Sequence, residues 1–118
     1  MGNFGPHLRR RREILRRHDP RFSLRQVALR IGVEPSFLSK VERGLEPPPS
    51  EPKIRRLAFE LGENPDALLA RAGKISDDLV RIICGRPELF SRVLRELASL
   101  PDEAVSRLVH ESRSGDDG

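Results

Sequence analysis

Apolar residues recur along this chain at intervals of three and four positions, and no long segment alternates apolar with polar residues. That spacing places apolar side chains on one face of an α-helix, whereas strict alternation would place them on one face of a β-strand. The sequence also contains no Thr, Tyr or Trp, three residue types that favour strands. The pattern therefore predicts an all-α fold.

Prolines and glycines mark the ends of the predicted helices, because proline is tolerated only in the first turn and glycine commonly ends a helix. Five helices are expected at residues 4–17, 24–31, 35–43, 51–61 and 65–72; Ser23 and Ser50 are expected to cap the second and fourth, and Asn64 followed by Pro65 starts the fifth. Three further helices are expected at about residues 77–85, 87–99 and 101–113. We therefore expect a domain at residues 1–73, a helical extension at 74–113 and a disordered tail at 114–118.

Charge is distributed unevenly along the chain. The formal net charge is +4 at pH 7, but residues 1–62 carry +7 and residues 63–118 carry −3. A positive field confined to one half of a small protein indicates a polyanionic partner, either nucleic acid or an anionic membrane surface. No apolar run approaches the roughly 20 residues that span a bilayer, so we expect a cytoplasmic protein without a membrane partner.

The sequence lacks the residues of several kinds of chemistry. The single cysteine, Cys84, excludes an internal disulfide, and no Cys pair or His cluster has the spacing of a zinc site. No Gly-rich phosphate loop or nucleophile motif is present, so we expect no enzyme activity, no catalytic residue and no cofactor. Cys84 lies beside Ile82 and Ile83 on an apolar helix face, which favours a buried, inert thiol over a redox sensor.

The most informative segment is residues 22–44, where two short predicted helices are joined by a turn at Gly32. Their inner faces are small or aliphatic: Val27, Ala28 and Ile31 on the first helix, and Leu38 and Val41 on the second. Val33 fills the turn, and the outward side chains of the second helix are Pro35, Ser36, Ser39, Lys40 and Arg43, with Phe37 at the edge. A helix with such a polar outer face can enter a major groove about 12 Å wide.

This segment resembles the helix-turn-helix of the phage repressor and Cro family, also called the XRE family. The matching features are Ala28, Gly32, Val33 and the run Ser39-x-x-Glu42-Arg43-Gly44, followed by the Pro-rich link to Ser50 and the sequences LAFELG and NPDALL. The resemblance covers about residues 4–73. It implies a five-helix, phage-repressor-like DNA-binding domain with the third helix as recognition helix, followed here by a short helical C-terminal extension.

The resemblance also implies which residues contact double-stranded DNA. Bases would be read by Pro35, Ser36, Phe37 and Lys40, while Ser23, Leu24, Arg25 and Arg43 would lie near phosphates and Ser39 on the same outer face. Leu24 stands where the family often has glutamine, so only backbone N–H groups remain there for a phosphate. Phe37 is equally expected at the rim of the core, whereas Ala28, Gly32 and Glu42 are expected to be structural.

Within the arginine run at residues 9–12, extended by Arg16 and Arg17, arginines three or four positions apart are expected to cluster on one side of the first helix. Two interpretations stay open, a solvated basic face and contact with phosphates. Arg12 has a third possibility, because it can pair with a carboxylate inside the domain.

The last third of the chain carries two apolar stripes at helical spacing. They consist of Leu89, Phe90, Val93, Leu94 and Leu97 on one helix, and of Ala104, Val105, Leu108 and Val109 on the next. About 45 residues seldom form a stable core alone, so these stripes would pack either on the first domain or in a symmetric dimer. We favour the homodimer, since one recognition helix rarely provides enough affinity.

Together these features predict a sequence-specific transcriptional regulator, expected to be a repressor, that binds a pseudo-palindromic operator as a homodimer. Its half-sites would lie about 34 Å apart. The alternative is an antitoxin or a polymerase-associated interaction module that uses the C-terminal helices to bind a second protein. A membrane-surface role for the first helix is least favoured, because that helix has no wide apolar face.

Overall fold

The computed structural model describes residues 3–116, and within them the secondary structure is helical, without a β-strand. The helices are α1 (Phe4–Arg16), α2 (Leu24–Ile31), α3 (Pro35–Glu42), α4 (Glu51–Leu61), α5 (Pro65–Arg71), α6 (Asp77–Gly85), α7 (Pro87–Ala98) and α8 (Asp102–Asp116), and a 3₁₀ helix, Pro20–Phe22, precedes α2. None of the described helices has both the length and the apolar character needed to cross a bilayer. The predicted all-α fold is confirmed.

The ends of the first five helices agree with the predicted helix boundaries to within one residue. The hydroxyl of Ser23 accepts the N–H of Gln26 at 3.2 Å, and the side chain of Asn64 accepts the N–H of Ala67 at 3.0 Å. These two caps satisfy amides that have no partner inside their own helices. Ser50 precedes α4 as predicted, but its side chain makes no capping hydrogen bond, so that part of the prediction is wrong.

The chain divides into two compact units, the first ending at Ser76 and the second beginning at Asp77. This division lies three residues beyond the boundary expected after residue 73. The last helix continues to Asp116, so residues 114–116 are helical where the sequence predicted the beginning of a disordered tail. Residues 117 and 118 of that predicted tail lie outside the described residues.

The first unit is built around one apolar core that joins its five helices. α3 packs on both α1 and α2, α2 also packs on α4, and α4 packs on α5. The core comprises Phe4, Leu8, Val27, Ala28, Ile31, Leu38, Val41, Ile54, Leu57, Ala58, Leu61, Leu68 and Leu69. The predicted inner faces of α2 and α3 are therefore confirmed, and both helices are held from behind by buried side chains.

A buried ion pair links α1 to the last residue of α3. Arg12 and Glu42 are only 4% and 5% exposed, and the Nε and Nη2 atoms of Arg12 donate to the two carboxylate oxygens at 2.7 and 2.9 Å. Hydrogen bonding to Glu42 raises the pKa of Arg12 although burial acts in the opposite direction. The guanidinium also donates to the carbonyl of Phe22 at 3.2 Å. Of the interpretations left open for Arg12, pairing with a carboxylate inside the domain is the one observed, and the structural role expected of Glu42 is confirmed.

In the second unit, no side chain that the structure describes is buried. Among the residues predicted to form a dimer, Leu89, Val93, Leu94, Leu108 and Val109 are 38–55% exposed, and Phe90, Leu97 and Val105 are half-buried. Cys84 is exposed, so the expectation of a buried thiol is wrong. Three helices of this size are too few to enclose a core of their own, and apolar side chains near Cys84 on α6, such as Val80 and Ile82, are exposed.

Candidate nucleic-acid interface

Three residues, Gly32, Val33 and Glu34, connect α2 to α3. Gly32 has φ 75° and ψ 37°, a left-handed conformation that glycine adopts at little steric cost. This conformation lets the N–H of Val33 donate to the carbonyl of Ala28 at 3.0 Å, which closes the last turn of α2. The side chain of Val33 is half-buried against the core. The turn is therefore tight and filled, as the sequence predicts.

The outer side of α3 is open while its inner side is buried. Leu38 and Val41 face the core, whereas Ser36, Lys40 and Arg43 are exposed. The other outward positions predicted on this helix, Pro35, Phe37 and Ser39, are half-buried. Phe37 packs against the core, which places it at the rim. A polar edge on a rigidly braced helix can enter a groove as a preformed unit.

The beginning of α2 is suited to accept an anion. Besides the capped amide of Gln26, the N–H groups of Leu24 and Arg25 have no hydrogen-bond partner among the described residues. The first turn of α2 contains no acidic residue, so the positive end of the helix dipole is not offset there. The side chain of Leu24 packs against the core and that of Arg25 is exposed. A phosphate at this end would meet free amides and a cation together.

Many basic side chains of the first unit are already engaged by carboxylates. Such ion pairs join Arg21 to Asp19, Arg30 to Glu60, Arg55 to Glu51 and Arg56 to Glu60, at 2.7–3.4 Å. Within the described part of this unit, the exposed cations without an ion pair are Arg9, Arg10, Arg17, Arg25, Lys40, Arg43 and Arg71. Three of these seven, Arg25, Lys40 and Arg43, are residues that the sequence assigned to the DNA contact.

The arginines spaced three or four positions apart on α1 do not form one solvent-facing cluster, because Arg9 and Arg16 are exposed while Arg12 between them is buried. Arg12 is buried, Arg11 is half-buried and donates to the carbonyl of Leu61 at 3.0 Å, and Arg9 and Arg10 are exposed. Successive residues of an α-helix project about 100° apart, so four consecutive arginines surround the axis. Only the exposed members of the run remain available to an external anion.

Sequence reasoning missed one residue near this interface, Lys53 in the first turn of α4. Its Nζ atom donates to the carbonyl oxygens of Ile31 and Gly32, at 2.9 and 3.3 Å, and so reaches the turn before α3. A cation in the first turn opposes the helix dipole. That unfavourable placement was a signal in the sequence that Lys53 serves another part of the molecule.

No group of three or more His, Cys, Asp or Glu side chains in the part of the chain that the structure describes is arranged to hold a metal ion. The polar groups described above at the interface are backbone amides, hydroxyls and cations. These groups are suited to bind phosphates and the edges of bases directly.

Comparison with known proteins identifies the first unit. Searches among curated proteins and among solved structures found no match. The helix-turn-helix domain family matches residues 3–72, which include α1 to α5 and both helices of the interface. This match covers more than half of the chain. The chain therefore belongs to the family of helix-turn-helix domains, which are DNA-binding modules.

Proposed function

We propose that this protein is a transcriptional regulator of the XRE type, acting as a repressor, that places α3 in the major groove of an operator. The observation that carries the proposal is the exposed polar edge of α3, which includes Ser36 and Lys40. The opposite side of this helix packs on α1 and α2, which hold it in place. Repression would follow from occupying DNA that other proteins need. The family match over residues 3–72 supports the DNA-binding part of this proposal.

Two classes of contact would share the binding energy. Arg25, Arg43 and the free amides of α2 would contact phosphates, and these contacts supply affinity without reading sequence. Pro35, Ser36, Phe37 and Lys40 would face the bases, while Ser23 donates its hydroxyl proton to a phosphate because its oxygen already caps α2. The lysine ammonium suits the acceptors of guanine in the major groove. Leu24 would contribute its amide, and Ser39 would line the same face.

Replacing Lys40 with alanine is expected to weaken binding to the preferred sequence by about 1–3 kcal/mol and to relax the preference at one base position. The physical reason is the loss of a base contact in addition to one positive charge. The measurement is selection of bound duplexes from a random pool with both proteins, followed by affinity measurements at one fixed salt concentration.

Arg71→Ala is the matched control, because Arg71 is another exposed, unpaired cation of the first unit but lies on α5. The Arg71→Ala variant should lose as much affinity for random duplexes as it loses for the preferred sequence, so its sequence preference should stay unchanged. Failure of the unaltered protein to enrich any sequence, or equal relaxation by both variants, would contradict the proposed role of α3.

The second unit supports a homodimer as the form that binds DNA. Its large apolar side chains are a third to a half exposed on all three helices, including Leu89 and Leu94 on α7 and Leu108 and Val109 on α8. Burial of apolar surface stabilises by roughly 25 cal/mol per Å², so a two-fold pairing of these faces is the simplest way to cover them. Such a dimer would present two α3 helices to half-sites about 34 Å apart.

Leu94→Glu is expected to shift the protein from dimer to monomer and to lower operator affinity by at least tenfold, since one recognition helix would then act alone. Sedimentation velocity measures the mass, and titration with one-half-site and two-half-site duplexes separates the two effects. Ser91→Glu adds the same charge on the polar side of α7 and should leave the dimer intact.

The same exposed face favours a second candidate, an antitoxin or polymerase-associated module that binds a different polypeptide. In that case the unaltered protein would sediment as a monomer and bind a stoichiometric second chain in a pull-down from native extract. Removal of α6 to α8 would then abolish capture while the first unit kept its melting transition. A dimer without a second polypeptide would exclude this candidate.

A further inference from the structure

One side chain outside α2 and α3 holds the turn between them. The Nζ atom of Lys53 lies 2.9 Å from the carbonyl oxygen of Ile31 and 3.3 Å from that of Gly32. No other hydrogen bond to these two oxygens is found among the described residues. Hydrogen bonds from a charged donor are about twice as strong as neutral ones, so this bridge is a firm link from α4 to the turn.

The position of Lys53 within α4 argues that its benefit lies at the turn. The N-terminal end of α4 carries a partial positive charge, which disfavours a cation in the first turn and favours its neighbour Glu51. The carboxyl end of α2 carries the opposite partial charge. The ammonium group of Lys53 extends away from the positive end of α4 and lies at the negative end of α2. Its charge is therefore stabilised at the turn before α3.

Gly32 has the greatest backbone conformational freedom of the three residues in that turn, because glycine can adopt φ and ψ values that other residues avoid. Its ψ of 37° sets the direction of its carbonyl group and of the peptide plane that leads into Val33. By binding the carbonyl oxygens on both sides of Gly32, Lys53 restricts this rotation. The direction in which α3 leaves the turn is thereby tied to α4.

From this geometry we infer that Lys53 is a positioning residue for sequence recognition: it orients α3 through the turn without touching DNA. The inference rests on the proposed function. Base contacts require placement within fractions of an ångström, whereas long arginine side chains can follow a phosphate that has moved. Loss of the bridge would therefore reduce discrimination between sequences more than it reduces general affinity for DNA.

Lys74 provides a matched control for a purely structural effect. Its Nζ atom donates to the carbonyl of Pro49 at 2.9 Å, and the side chain is half-buried like that of Lys53. Replacement of either lysine by methionine keeps the apolar stem and removes one charge together with the ammonium–carbonyl hydrogen bonds, two at Lys53 and one at Lys74. Only the Lys53 link reaches the turn before α3.

The experiment compares the full chain with Lys53→Met, Lys74→Met and Lys53→Arg. Affinities are measured for the duplex selected by the unaltered protein and for a scrambled duplex at the same salt concentration. We expect Lys53→Met to lower the ratio of the two affinities about tenfold, which corresponds to weakening one base contact. Lys74→Met should leave the ratio unchanged, and Lys53→Arg should restore most of it because arginine can bridge two carbonyls.

A second measurement on the free protein makes the inference independent of DNA. Residual dipolar couplings of backbone amides report the orientation of α3 relative to α2, and they should change in Lys53→Met but not in Lys74→Met. Unchanged couplings in Lys53→Met, or an equal loss of discrimination in both methionine variants, would overturn the inference. If the unaltered protein selects no sequence, the proposed function fails and the couplings alone decide the role of Lys53.

Discussion

Replacing Glu42 with glutamine is expected to lower the free energy of unfolding of the first unit by about 3 kcal/mol. Arg12 would then keep its charge in a site where it is only 4% exposed, with one neutral acceptor in place of a carboxylate. The hydrogen bond to Glu42 is the largest cause of the raised pKa of Arg12, so the guanidinium stays charged, and the carboxylate left to compensate its burial is that of the more exposed Glu13, whose Oε1 accepts from Nη2 at 3.3 Å. Urea unfolding followed by circular dichroism measures the change.

The double variant Arg12→Met with Glu42→Leu is the control for this prediction. Replacement of a buried ion pair by apolar residues of similar volume is often neutral or stabilising, so the double variant should be more stable than Glu42→Gln alone. A cost below about 1 kcal/mol for Glu42→Gln would mean that water or another group neutralises Arg12. That result would contradict the pairing as the link between α1 and α3.

Replacing Gly5 with alanine is expected to destabilise the first unit by about 2–3 kcal/mol, although alanine is normally the better helix former by about 1 kcal/mol. Gly5 lies where α1 meets the end of α3. A Cβ atom there would lie 2.9 Å from the carbonyl oxygen of Glu42 and closer still to that of Val41. Both obstacles are backbone atoms, which cannot rotate away, so α1 would have to withdraw from α3.

Gly85→Ala is the matched comparison, because nothing lies within 4 Å of a Cβ atom at this end of α6. It should leave the unfolding of the first unit unchanged and raise helix content slightly. Thermal and urea unfolding of both variants measure the difference. A Gly5→Ala protein as stable as the unaltered chain would show that α1 and α3 are not packed backbone to backbone.

The local part of this fold follows from the sequence, because each helix end is decided by residues next to it. Pro35 and Gly32 place the turn before α3, and the caps Ser23 and Asn64 act within three residues of their own positions. The apolar faces of α2 and α3 follow from helical period in the same way. These features required no knowledge of which helix would lie opposite.

Features that depend on a distant partner could not be predicted in full. The pairing of Arg12 with Glu42 spans 30 positions and the bridge from Lys53 to Ile31 spans 22. A periodic pattern shows which side of a helix a residue occupies, but it does not show which group of another helix contacts that residue. Cys84 illustrates the same limit. The sequence shows that Cys84 lies on an apolar helix face, but it does not show that the thiol is exposed.

The uncovered second unit has a consequence for how the protein would respond to its own abundance. In the proposed homodimer, these helices, whose apolar side chains are only partly buried within one chain, would gain stability by mass action from the chain that joins them. At low abundance, the number of paired chains then rises with the square of the total, so occupancy of a two-part site switches on over a narrow window of synthesis. Dilution at cell division would release such a site more abruptly than it would release one bound by monomers.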